Sequence, residues 1–134
     1  MDEGYAMITL SLLKYLEDNG FGKIDKDLFF QKLALGRKGV YIANIGNQQL
    51  RGERRAQSYE LYSRGTDDVD GYKRLSKIVD FLNNSYGVCG LPAVPPATDK
   101  GYRNVAIMPV STITSVGEDD NGIVIYSATG TIYY

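Results

Sequence analysis

The side chains able to give or take a proton, attack a carbon or hold a metal form a short set in this sequence. There is no histidine and a single cysteine. Without histidine the usual general base, the commonest nitrogen ligand for metals and every Ser-His or Cys-His pair are missing. Cys89 stands between Val88 and Gly90 with no activating charge beside it, and reads as an inert small residue. A lone cysteine also rules out an internal disulfide or a thiolate cluster within one chain. Two acidic stretches have the look of cation loops. In Asp68-Val69-Asp70-Gly71, alignment to an EF-hand puts Thr66 at the first ligand position and Lys77 at the last, where a glutamate is needed. Glu118-Asp119-Asp120-Asn121-Gly122 fails in the same way, with Gly117 first and Ala128 last. Both read instead as helix-capping and turn residues. Gly36-Arg37-Lys38-Gly39 lacks Walker spacing, and no GxGxxG follows a strand. No catalytic residue, metal site or cofactor is expected, and the chain is not read as an enzyme.

What survives is charge. Arg37, Lys38, Arg51, Arg54, Arg55 and Arg64 fall within one segment against Glu53 and Glu60, so its local sign is positive. Three readings stand side by side. The patch binds phosphates, although residues 46 to 57 hold no aromatic ring for stacking. Alternatively, Arg51, Arg54 and Arg55 meet an acidic surface of an identical chain, with Glu118, Asp119 and Asp120 as the candidate counterpart. In the third, the loop is simply solvated.

The elements that must carry these groups follow from periodicity. Ile8, Leu12, Tyr15 and Leu16 recur at helical spacing before Asn19-Gly20, which predicts a helix over residues 5 to 18. Leu10 and Leu13 lie off that stripe, so this helix needs a second covering surface, from a neighbouring subunit or from the same chain. Leu28-Phe29-Phe30 is a short apolar run compatible with a first strand. Val40 to Ile45 and Gln57 to Arg64 read as strands joined by a long protruding loop, with Tyr59 and Leu61 on one face and Ser58, Glu60 and Arg64 on the other. Thr66 and Asp67 cap a second helix, whose buried stripe is Tyr72, Leu75, Ile78, Val79 and Leu82 and which ends in the Asn83 to Gly87 stretch. Gly90 to Gly101 contains Pro92, Pro95 and Pro96 and reads as an extended connection. Val105 to Val116 and Ile123 to Tyr134 form a hairpin with an acidic tip, in which Pro109 calls for an edge position or a bulge. The fold class is α+β: two helices on a mainly antiparallel sheet, in the order helix, two or three strands, helix, two-stranded C-terminal hairpin.

Composition narrows the class. The 134 residues fit one domain, 1-134. Hydrophobic residues make up 43% and charged residues 23%, ordinary values for a folded chain. Fifteen basic against sixteen acidic residues give a formal net charge of -1, so any polyanion binding must be local. No run approaches the roughly 18 apolar residues of a membrane helix. The acidic start Met1-Asp2-Glu3-Gly4 is unlike a secretory signal. Eleven tyrosines and no tryptophan suit half-buried strands or protein contacts.

Taken together, Ile8-Thr9-Leu10-Ser11-Leu12-Leu13-Lys14-Tyr15-Leu16, Leu61-Tyr62-Ser63-Arg64-Gly65 and Val69-Asp70-Gly71-Tyr72 leading into Leu75, Ile78 and Phe81-Leu82 resemble bacteriophage minor capsid proteins related to siphophage tail terminators. The resemblance spans Met7 to Pro96. It implies a structural virion subunit, assembled in the bacterial host cytoplasm, that forms a ring of identical chains, a hexamer in the family. Such a ring ends tail-tube growth and joins the head connector. The partners implied are therefore the chain itself, the tail-tube protein and the connector, with no membrane, and with nucleic acid only where DNA passes through the ring.

Overall fold

The computed structural model describes residues 8–31, 37–85, 90–94 and 101–134. Residues 5–7 of the expected first helix, Cys89, Pro95 and Pro96 lie outside them, as do Gly36 and the last two residues of the 83–87 stretch. In chain order the elements are α1 (Ile8–Asp18), β1 (Leu28–Phe30), β2 (Gly39–Gln49), β3 (Arg55–Arg64) and α2 (Asp68–Asn83). There follow β4 (Gly90–Leu91), β5 (Tyr102–Arg103), β6 (Ala106–Ile107), β7 (Thr114–Glu118) and β8 (Val124–Tyr133).

The α+β class holds: among the described residues two helices accompany a mixed sheet of six strands in the order β1-β2-β3-β8, with both β6 and β7 on the far side of β8, while β4 and β5 form a separate ribbon. Leu28-Phe29-Phe30 does form a strand, and it runs parallel to β2, whereas the other neighbours are antiparallel. The long loop expected over residues 46 to 56 is mostly ladder. β2 and β3 pair out to Gln49 and Arg55, and only a short turn protrudes. Polar side chains disguise these strand ends, because Asn47, Gln48 and Gln49 carry no apolar alternation while their backbones still bond across the ladder. A register shift between Asn44 and Gly46 makes Ile45 the extra residue of a bulge, 55% exposed.

The continuous strand expected over Val105 to Val116 is in fact two. β6 pairs with the end of β8 and β7 with its beginning, while Met108 N and Ser111 N donate to the Thr131 and Thr129 carbonyls in between. Pro109 sits in that interval on the edge, where its missing N–H removes nothing from the ladder. The connection expected after Gly90 is also partly paired, Gly90 and Leu91 lying against Arg103 and Tyr102.

Alternation along β3 separates the two sheet faces. Tyr59, Leu61 and Ser63 point toward the helices and are buried, as do their partners Gly130, Ala128 and Tyr126 on β8. There they meet Ile8, Leu12, Leu13 and Leu16 of α1 and Leu75, Ile78 and Leu82 of α2 in one apolar cluster. The second surface that α1 requires comes from its own chain. Tyr15 lies 5.3 Å from the Phe81 ring of α2, and Leu91 of β4 joins the same cluster. Tyr72 departs from the expected stripe: it is 47% exposed and set edge-on to Tyr126, and Gly71 takes the buried position instead. Gly71 fits closely there because α2 begins against Gly65 at the end of β3. A Cβ on Gly65 would collide with the Gly71 amide nitrogen, one on Gly71 would stand 3.1 Å from the Gly65 nitrogen, and the Ser63 hydroxyl donates to the Gly71 carbonyl at 2.8 Å.

Opposite the helices, Tyr41 stacks on Tyr62 at 4.7 Å. Tyr62 donates to the Glu60 carboxylate, which pushes its phenol up to about 12. Ile45, Ser58, Pro109, Ser111, Thr129 and Thr131 line a shallow groove of about 350 Å³ on this side.

Candidate subunit-contact site

β3 carries the two charged regions apart. Arg55 opens the strand and Arg64 closes it, so the regions lie about 30 Å from each other along the ladder.

At the closing end, the two acidic stretches that failed as cation loops stand side by side. Asp67 caps α2 by accepting from the Asp70 amide at 2.8 Å, and the Asp70 carboxylate accepts from Thr66 N at 2.8 Å and from Arg74 Nε at 2.9 Å. These bonds, led by the Thr66 amide, hold the Asp70 carboxyl below its usual range. Asp68 accepts from Val124 N at 2.8 Å and so ties the start of α2 to the β7–β8 hairpin. Asp119 makes the turn, accepting from Asn121 N at 2.9 Å and Ile123 N at 3.0 Å, and its other oxygen pairs with Arg64 Nε. That guanidinium, followed by the Ile123 amide, keeps the Asp119 carboxyl below the ordinary carboxylate range. Glu118 and Asp120, in contrast, are exposed. The capping and turn reading of both clusters is what the geometry displays. Among the described residues no group of three or more His, Cys, Asp or Glu side chains is arranged to hold a metal ion.

The basic segment expected from sequence is divided by the same strand. Arg37 and Lys38 precede β2 at the end where Gly39 faces Arg64, and Arg37 lies 5.0 Å over the Phe29 ring. Arg64 is buried against Asp119 and does not belong to an open patch. Arg51, Arg54 and Arg55 remain together at the opposite end. The turn between β2 and β3 closes through Leu50 N to Arg54 O at 2.7 Å, with Gly52 in the left-handed region at φ 69°. Arg51 and Arg54 are exposed, and Arg54 Nη1 reaches the Asn104 carbonyl at 3.4 Å. Arg55 is anchored: its Nη1 donates to Asn47 Oδ1 at 3.0 Å, and Asn47 Nδ2 donates to Gln57 Oε1 and to the Tyr134 hydroxyl, each at 2.9 Å.

No protein-family model matches this chain, and comparison with curated proteins finds no match either.

Among the described residues the fold brings one further cation to the basic end. Arg103 on β5 is exposed and adjoins Asn104, the residue that Arg54 touches. Tyr102 meets Tyr134 edge-on at 5.6 Å beside it. Nothing local in the sequence links residue 103 to the turn at 51–55; only the pairing of β8 with both β3 and β6 brings the two segments together.

Proposed function

We propose that this chain is a structural virion protein of a tailed phage, a ring-forming tail-terminator or minor-capsid subunit that caps the tail tube and joins it to the head connector. The observation that carries the assembly part is the separation of charge. Exposed Arg51 and Arg54 stand at one end of β3 and exposed Glu118 and Asp120 at the other, about 30 Å apart, so they cannot meet within one chain. Between chains they are complementary, and a contact joining one end to the opposite end is heterologous: it either closes into a ring or runs on as a filament. Steering by opposite charges favours that register over like-to-like encounters. The role is one of assembly without catalysis, in the virion and built up in the bacterial cytoplasm. The tail assignment itself follows from the resemblance of the residue 7–96 segment to the terminator-related family.

Light scattering on the eluting protein, alone and mixed with tail-tube and connector proteins, tests the reading. A closed oligomer, or a complex with the tube protein, is expected. Asp120→Lys should dissociate the oligomer, and Arg54→Glu combined with Asp120→Lys should restore it. A chain that stays monomeric and ignores both partner proteins would overturn the proposal.

A further inference from the structure

The basic end has more in it than a complement to an acidic tip. Three segments meet there: residues 47–57, 102–107 and 128–134. They contribute four arginines, Arg51, Arg54, Arg55 and Arg103, against one acid, Glu53. The turn has no aromatic residue of its own, which weakened a phosphate-binding reading of the sequence, but the fold supplies rings from elsewhere. Tyr102 and Tyr134 arrive edge to face from β5 and the end of β8. Tyr133 pairs with both Ala56 and Ala106, so its ring stands on the sheet face away from Tyr134. Each of the three tyrosines is half-buried, held by its strand with part of its surface open.

We infer that this end of the molecule is a binding site for a single-stranded nucleic acid, its arginines on the phosphodiester backbone and its tyrosines against the bases. Guanidinium forks match phosphate oxygens, and Arg55 is already set in place by Asn47. Rings at the end of a strand, Tyr102 with Tyr134 on one sheet face and Tyr133 on the other, accept unstacked bases of any sequence, which a duplex does not offer. The net charge of -1 makes the site a local one, engaging only a few phosphates. The site shares Arg51 and Arg54 with the head-to-tail contact proposed above, and Arg103 with the tyrosines, which take no part in that contact, tells the two apart.

Fluorescence anisotropy of the full chain with a short labelled oligothymidylate tests it, with a duplex of equal length and inorganic polyphosphate as the other arms. The oligothymidylate should bind best, and its affinity should fall steeply with salt. Arg54→Gln with Arg103→Gln should weaken it about tenfold or more and flatten the salt slope by roughly 0.7 per contact removed. Tyr102→Leu and Tyr133→Leu, each checked for a native circular dichroism spectrum, should weaken the oligonucleotide and leave polyphosphate unchanged. Arg37→Gln at the other end should have no effect. Asp120→Lys, which tests the subunit contact and would uncover Arg54 in an assembled ring, should dissociate the oligomer and leave oligonucleotide binding intact or stronger, whereas Arg103→Gln should weaken binding without touching the oligomer, so the two ideas fail separately. No binding at low salt, equal binding of the duplex, or indifference to the Arg103 and tyrosine changes would each overturn the site.

Discussion

The two ends of β3 differ less in charge than in what their charges are doing. At the acidic end four carboxylates are engaged within the chain, Asp67 on the Asp70 amide, Asp70 on Thr66 N and Arg74, Asp68 on Val124 N, and Asp119 on a turn and on Arg64, while Glu118 and Asp120 are exposed. At the basic end Arg51 and Arg54 project from a five-residue turn, and Arg54 makes a long bond to a single carbonyl. Carboxylates suit internal work at a helix N-terminus and a turn, because both present backbone N–H groups that need acceptors. Guanidinium groups have five donors and little local backbone to satisfy them, so on a protruding turn they face outward. One end uses most of its charges on the fold and keeps Glu118 and Asp120 outward, and the other turns Arg51 and Arg54 to the outside.

Arg64→Ala should disturb this contrast most. It leaves Asp119 without its cation, and hydrogen exchange at the Asn121 and Ile123 amides should quicken about tenfold or more, with a lowered melting temperature. Unchanged exchange would mean that the tip holds itself together. Asp67→Ala removes the α2 cap and should cost about 1 kcal/mol in denaturant unfolding. Acid should act on the same end more gradually. Asp70 and Asp119 have folded values below their ordinary range, so their stabilisation is complete at neutral pH and is lost as pH falls below about 4 and through the depressed values. Amide signals of Asn121 and Ile123 should therefore shift before those of Leu50 and Arg54 in an NMR titration. Smallest of all, Arg51→Ala with Arg54→Ala should change stability by no more than about 0.5 kcal/mol, whatever it does to binding. A larger loss would show that the basic turn also serves the fold.

The local parts of this structure could be read from the chain. α2 announced itself through Asp67 and a stripe at Leu75, Ile78, Val79 and Leu82, and β3 through the alternation of Tyr59 and Leu61 with Ser58 and Glu60. Tyr72 was misplaced because hydrophobic spacing does not reveal that Gly71 is the residue set against the β3 end, where even a Cβ would crowd the Gly65 nitrogen. What could not be read is whatever depends on distant residues. Arg64 and Asp119 are 55 residues apart, Arg54 and Asn104 are 50 apart, and the parallel partner of β1 is set by a return of the chain and not by composition. The candidate contact residues were legible as charges, but not as two separate ends, since strand length alone keeps them apart.

β8 runs through nearly all of these long connections. It is the strand on which β3, β6 and β7 all pair, and Gly130 within it leaves the space that the Tyr59 ring occupies, where any Cβ would collide with that ring. A slip of one residue would bring Thr129 or Thr131 beneath the ring, so this tyrosine and glycine act as a register key for the whole sheet. β8 also follows β3, β6 and β7 in chain order. During synthesis, β6 and β7 therefore emerge before the strand they need, and β3 waits with one edge unpaired. Until β8 emerges, β3, β6 and β7 of the nascent chain present strand edges that other chains can reach.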